Sequence, residues 1–154
     1  MLTQTDSTGN TTRYEYNVLN KVSKKIYPQD GTGEETYTYY GDSKLKTHTD
    51  RNGNTTSYTY DIHGRLIKQV TTNKDSDKTI TIENTYDDNG NILSIKDATG
   101  LTEYNYDKLN SVISKKVSVI GEIKYEYDIV SGIEDLQKGY VAVRETYPDG
   151  NIVI

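Results

Sequence analysis

The sequence contains no cysteine, phenylalanine or tryptophan, and it has one methionine, two prolines and two histidines. The lack of cysteine excludes disulfides and thiolate metal sites while leaving the compartment open. No apolar run approaches the roughly 18 residues needed to cross a bilayer. Residues 1–12 have no hydrophobic stretch of the kind a signal peptide carries. A formal charge of -5 and a pI near 5.0 argue against sequence-independent binding to nucleic acid, which requires a basic surface to displace counterions. Hydrophobic residues reach only 32%, with a mean hydropathy of -0.81, which is low for a chain that must bury a core.

Tyrosine fills the gap, accounting for all 15 aromatic residues. A fully buried tyrosine ring removes roughly 150–250 Å² from water, about 4–6 kcal/mol before entropy is charged. Tyrosine is also a strong strand former. The expectation is a thin β structure packed mainly by tyrosines.

Those tyrosines recur at a regular interval. Taking the second aromatic of each Tyr-x-Tyr segment as an anchor gives Tyr16, Tyr39, Tyr60, Tyr86, Tyr106 and Tyr127, separated by 23, 21, 26, 20 and 21 residues. Another tyrosine stands two residues earlier at Tyr14, Tyr37, Tyr58, Tyr104 and Tyr125, with Asn84 as the exception. A spacing of two puts both rings on one face of a strand and turns Glu15, Thr38, Thr59, Asn105 and Glu126 to the other. On a helix the pair would share no face.

The anchor is followed by Asp61, Asp87, Asp107 or Asp128 in four repeats, by Asn17 in the first and by Tyr40 in the second. Four residues after the anchor stand Asn20, Ser43, Gly64, Gly90, Asn110 and Ser131; six after it, Val22, Leu45, Leu66, Ile92, Val112 and Ile133. This is the grammar of a hairpin. The Asp or Asn accepts a hydrogen bond from backbone two residues on, Gly or Asn tolerates the left-handed conformation, and the aliphatic restarts the return strand. A second turn, Asp-x-x-Gly, is expected at Asp6–Gly9, Asp30–Gly33, Asp50–Gly53 and Asp97–Gly100, with Asp149-Gly150 opening another. Asn73 to Lys78 reads as an exposed loop, and Val117 to Glu122 as a turn punctuated by Gly121. Ile133 to Leu136 is expected to form one helical turn, before a strand-like run from Tyr140 to Val143.

The segment from Gly53 to Leu66, with Tyr58-Thr59-Tyr60-Asp61 followed by Gly64-Arg65-Leu66, resembles the YD repeat almost letter for letter. Gly100–Val112 and Thr85–Ile92 are looser copies. The chain is therefore similar to the RHS/YD-repeat family: bacterial RHS proteins, wall-associated proteins, shell components of insecticidal toxin complexes and teneurins. The resemblance implies one all-β domain over 1–154, with about six repeats of a period near 21 and a degenerate last one, its antiparallel hairpins joined into a twisted, spiralling sheet. It also implies a short arc of a longer array in a secreted or surface protein, acting as non-catalytic shell or spacer. The implied partners are other segments of that array, and sheet ends that pair between copies. The proline- and aspartate-rich cleavage motif of shell-closing members has no counterpart at Pro28 or Pro148, so no protease aspartate is assigned.

The acidic turns, such as Asp87–Asn91 and Asp50–Asn54, offer oxygen ligands but lack the spaced bidentate Glu of an EF-hand, and turn geometry explains every copy at once. His48 is expected on a return strand and His63 in a hairpin turn, and no serine sits in a Gly-x-Ser-x-Gly setting. No catalytic residue, metal or cofactor is assigned. Two readings of Tyr14, Tyr16, Tyr37, Tyr39, Tyr58, Tyr60, Tyr104, Tyr106, Tyr125 and Tyr127 remain. The first is a structural ladder between hairpins; the second is an aromatic face that binds glycan or a surface protein.

Overall fold

A computed structural model describes residues 1–28, 33–128 and 141–153. It divides into two compact units, Met1–Ile82 and Glu83–Ile154. Among the described residues every regular element is a β-strand. The first unit holds β1 (Leu2–Thr5), β2 (Thr11–Tyr16), β3 (Val22–Ile26), β4 (Glu34–Tyr39), β5 (Leu45–Thr49), β6 (Thr55–Tyr60) and β7 (Leu66–Thr72), together with the start of β8 (Thr79–Tyr86). The second holds the rest of β8 and then β9 (Ile92–Asp97), β10 (Gly100–Tyr106), β11 (Val112–Val117), β12 (Gly121–Asp128), β13 (Val141–Thr146) and β14 (Ile152–Val153). In each unit successive strands pair antiparallel in chain order.

The turn after each anchor is built the same way five times. At the third repeat, Asp61 N–H donates to the Arg65 carbonyl (3.0 Å) and Gly64 N–H donates back to the Asp61 carbonyl (3.0 Å). The pattern recurs at Asn17–Lys21, Tyr40–Lys44, Asp87–Asn91 and Asp107–Ser111. The residue four after the anchor has positive φ in all five: Asn20 56°, Ser43 69°, Gly64 81°, Gly90 93° and Asn110 64°. The side chain that opens the turn supplies the expected acceptor. Asp61 Oδ1 takes the N–H groups of His63 and Arg65, Asn17 Oδ1 those of Leu19 and Lys21, and Asp107 Oδ1 those of Leu109 and Ser111. In the second repeat Tyr40 opens the turn, and the acid sits two residues later, where Asp42 accepts from Lys44 N–H and pairs with Lys44 Nζ.

Each hairpin also carries a β-bulge at one fixed place. Tyr16 faces Val22 while Glu15 faces Lys24, so Ser23 is the extra residue; the register shifts likewise after Thr38, Thr59, Thr85, Asn105 and Glu126. The bulge puts two residues of the return strand opposite one, and it leaves the anchor directly across from the aliphatic that restarts that strand.

Several expectations change. Asp6–Gly9 and Asp50–Gly53 close by a glycine N–H returning to the aspartate carbonyl, but Gly100 pairs with Asp97 in the ladder across a two-residue turn. The last turn opens at Tyr147, whose carbonyl receives Gly150 N–H, and not at Asp149. In the sixth repeat the cross-strand partner of Tyr127 is Ala142, and Ile133 lies outside the described residues. The proposed helical turn at 133–136 and most of the Asp30–Gly33 turn lie outside the described residues. Asn73–Lys78 is the expected exposed loop, closed by Asn73 N–H on the Lys78 carbonyl (2.9 Å).

The largest correction concerns the core. Among the described residues no hydrophobic side chain is buried, and Ser114, 7% exposed, alone reaches that state. The tyrosines are half-covered, so the full burial energy of a ring is not realised. Packing operates through cross-strand pairs on one face (Tyr39 with Leu45, Tyr60 with Leu66, Tyr106 with Val112), each contributing roughly 0.2–1 kcal/mol.

Left-handed backbone disfavours a side chain with a Cβ by roughly 1–2 kcal/mol, and Ser43 occupies that conformation. Ser43→Gly is therefore expected to raise the free energy of unfolding by about 0.5–1 kcal/mol, less the entropy of a freer unfolded chain. Urea denaturation followed by circular dichroism measures this; a loss of stability would count against the strain at Ser43.

Candidate functional site

Alternation along each strand places the paired tyrosines of each unit on one face of that unit. Nine of them are partly covered, while Tyr16 is 39% exposed, and Glu15, Thr38, Thr59, Asn105 and Glu126 point outward on the opposite side. The second tyrosine of a pair has a specific bonding role. Tyr39 hydroxyl donates to the Val22 carbonyl (2.8 Å), Tyr106 to Ile92 (2.8 Å) and Tyr127 to Val112 (2.7 Å). In each case the acceptor belongs to the preceding hairpin and sits beside its bulge, where the ladder is interrupted. The hydroxyl thus ties neighbouring hairpins together through a carbonyl beside the bulge. Burial pushes the Tyr39, Tyr60 and Tyr106 hydroxyls above the ordinary tyrosine value, which keeps them protonated as donors. The third repeat varies: the Tyr60 ring meets Tyr40 edge-on at 6.1 Å, and Tyr40 hydroxyl donates to the Tyr58 carbonyl (2.9 Å).

The first tyrosine of each pair is less uniform. Tyr14 donates to Gln4 Oε1 (3.3 Å), and Lys115 Nζ lies 6.0 Å from the Tyr104 ring centre. Tyr37 belongs to a polar cluster that sequence spacing does not reveal. Glu35 on β4 receives hydroxyl bonds from Tyr37 and from Tyr27 (2.7 Å), and His48 on β5 stacks on Tyr37 at 4.8 Å and 11°. His48 Nε2 is shielded from solvent, has no hydrogen-bond partner among the described residues and lies 3.9 Å from Glu35 Oε2. The Tyr37 hydroxyl bond is the main force holding the Glu35 carboxyl below its ordinary value, opposed by burial and helped by Tyr27. Burial, followed by the bond to Glu35, raises Tyr37 well above the usual tyrosine value. One signal of this cluster was present in the sequence: Tyr27 stands where Asp50 and Asp97 stand in other repeats, at the end of a return strand.

The acidic turns are accounted for by their own backbone. Asp50 Oδ1 accepts from Asn52 and Asn54 N–H, and its Oδ2 from Asn54 Nδ2; Asp87 is engaged by Asn91 in the same way. The Asn54 and Asn91 side chains hold these carboxyls below the ordinary range. Among the described residues no three His, Asp or Glu side chains gather closely enough to hold a metal ion. His63 lies exposed in its turn and contributes its N–H to Asp61, on a different element from His48.

Two outcomes follow. Tyr39→Phe removes a hydroxyl-to-carbonyl bond and is expected to cost about 1 kcal/mol in urea unfolding, whereas Tyr16→Phe at the exposed anchor stays within about 0.5 kcal/mol. Equal losses would contradict a bonding role for the hydroxyl. Because Glu35 is held low in the folded chain, its stabilisation is present above its ordinary value and fades as pH falls through the folded one. Glu35→Gln should therefore narrow the drop in melting temperature between pH 6 and pH 3; an unchanged drop would exclude Glu35 from acid sensitivity.

The comparisons with known proteins agree with this geometry. Residues 39–76 match the model of the RHS Repeat family. No curated protein sequence matches the chain. Among solved structures, TcdB2-TccC3-TEV is similar at 25% identity and a TM-score of 0.67, over 82% of this chain and 6% of its own. TcdB2-TccC3 is similar at 21% identity and a TM-score of 0.75, over 97% of this chain and 9% of its own. A Photorhabdus luminescens Tc holotoxin pore gives the same identity and TM-score, again over 97% of this chain and over 8% of its own. The chain thus spans less than a tenth of each of these chains. Residues 39–76 match an RHS repeat by sequence, and the turn and bulge of that hairpin recur after Tyr16, Tyr86 and Tyr106.

Proposed function

We propose that the chain is a non-catalytic structural segment of a secreted or surface RHS/YD-repeat protein, serving as shell or spacer. One observation supports this above all: the tyrosine hydroxyls of one hairpin bind carbonyls of the hairpin before it, at Tyr39, Tyr106 and Tyr127. Such bonds convert a series of hairpins into a sheet that extends by adding copies of itself. The likeness in fold to TcdB2-TccC3 over nearly the whole chain supports the same reading. In that setting its partners are further segments of the array, reached through the sheet ends. The hydroxyls of Tyr58 and Tyr104 have no partner among the described residues, and this favours a second reading in which those rings contact a glycan or a surface protein.

Hydrogen exchange tests the scaffold. Amides between hairpins, such as those on the Lys24–Thr36 ladder, should be protected to within about tenfold of amides inside a hairpin, such as those on Glu15–Lys24. Exchange faster by several orders of magnitude between hairpins would reduce the chain to separate units and end the scaffold reading. Saturable co-sedimentation with bacterial walls that is lost in a Tyr58→Ala, Tyr104→Ala double variant of intact fold would establish the second.

A further inference from the structure

The chain contains the tripeptide Asn-Gly-Asn twice, at Asn52-Gly53-Asn54 and Asn89-Gly90-Asn91. Both copies end a turn of the same form. The glycine has positive φ (Gly53 82°, Gly90 93°), and its N–H donates to the carbonyl of the aspartate that opens the turn, Asp50 at 2.9 Å and Asp87 at 3.2 Å. The opening carboxylate is engaged alike by Asn54 and by Asn91, through backbone and side chain. Asn52 and Asn89 are both exposed. Asparagine before glycine has a chemistry of its own, because a glycine nitrogen, with no side chain beside it, can reach the asparagine carboxamide carbon.

The two copies differ in what holds that carboxamide. Asn89 Nδ2 donates to Asn110 Oδ1 (3.1 Å), and Asn91 Nδ2 donates to the same oxygen (2.7 Å). Asn110 is the left-handed residue of the next hairpin's turn, at φ 64°, so one side chain clasps two amides of the hairpin before it. The Asn52 carboxamide makes no hydrogen bond among the described residues; its backbone N–H alone is engaged, by Asp50 Oδ1 (2.9 Å). The attacking nitrogen is thus restrained in both turns, and the carboxamide in one.

We propose that Asn52 and Asn89 are sites of spontaneous deamidation, and that the Asn110 clasp makes Asn89 the slower of the two. The glycine nitrogen loses its proton to solvent and attacks the carboxamide carbon. A C–N bond forms, the Cγ–Nδ2 bond breaks, and the amide nitrogen leaves with a proton as ammonia. Water then opens the cyclic succinimide at either carbonyl, giving aspartate or isoaspartate with no change of oxidation state. To reach the attacking geometry the Asn89 side chain must turn away from Asn110 and give up its bond, a cost that Asn52 does not bear. At position 89 the product is a carboxylate, which accepts and cannot donate to the Asn110 oxygen, so the reaction undoes the clasp that delayed it. The chemistry is independent of whether the chain serves as shell or spacer.

The test holds the full chain in mildly alkaline buffer and uses peptide mass mapping to follow asparagine, aspartate and isoaspartate at positions 52 and 89 over time. In the folded chain Asn52 is expected to convert at least about fivefold faster than Asn89. In urea, where the same tripeptide carries no clasp, the two rates should agree to within about twofold. Asn110→Gly removes the shared acceptor and keeps a residue suited to left-handed backbone; it should speed Asn89 about fivefold and leave Asn52 unchanged. Circular dichroism checks the fold of that variant, and where it fails to fold the comparison of the natural chain with and without urea decides alone. The proposal is overturned by equal rates at the two sites in the folded chain, by a difference that persists in urea, by products that lack isoaspartate, or by a folded Asn110→Gly variant in which Asn89 converts no faster.

Discussion

An antiparallel sheet without a buried core must draw its order from its backbone, and here the demand falls on the turn. Every strand end in such a sheet is a place where N–H and C=O groups lose their partners. The turn after each anchor closes two backbone bonds within five residues, and a side-chain oxygen takes at least one further N–H at each of its five described copies. The left-handed residue then returns the chain in the direction that the strand twist requires. All of this is local, so each hairpin can register itself without help from distant parts of the chain.

The bulge and the tyrosine hydroxyl form a second, linked device. By inserting one residue, the bulge opens the ladder beside Val22, Ile92 and Val112. The hydroxyl of the next hairpin fills that opening. This accounts for tyrosine in place of phenylalanine at positions 39, 106 and 127. A phenyl ring would offer similar cover but would leave the carbonyl unbonded and the hairpins untied. Aromatic area and hydrogen bonding are both required at one position, and only tyrosine supplies both with a reach of that length.

Much of this was legible because the governing signals are short-range. Tyr-x-Tyr fixes a strand and its face, Asp61 and Gly64 fix a turn, and Leu66 restarts the strand, all within nine residues. What escaped the sequence depends on register or on a missing partner layer. Nothing in the spacing of Tyr27, Glu35, Tyr37 and His48 shows that three strands bring them together. The Asp-x-x-Gly pattern covers two different closures, since Gly53 returns a bond to Asp50 whereas Gly100 lies across from Asp97. Half-covered and buried tyrosines look alike in the sequence, which records which side chains share a face but not whether anything lies over it. The partner of Tyr127 is likewise decided across the sheet, where Ala142 stands.

In four of the five described turns, the two positions between the acceptor that opens the turn and the left-handed residue that ends it carry side chains that take no part in closing it. In the first repeat one of these is Val18, in the third Ile62, and both project almost wholly into solvent. Their backbone is constrained while their chemistry is free. Each hairpin therefore works as a mount with an interchangeable head, and a lineage can rewrite what the edge displays, residue by residue, at little expense to the frame that carries it.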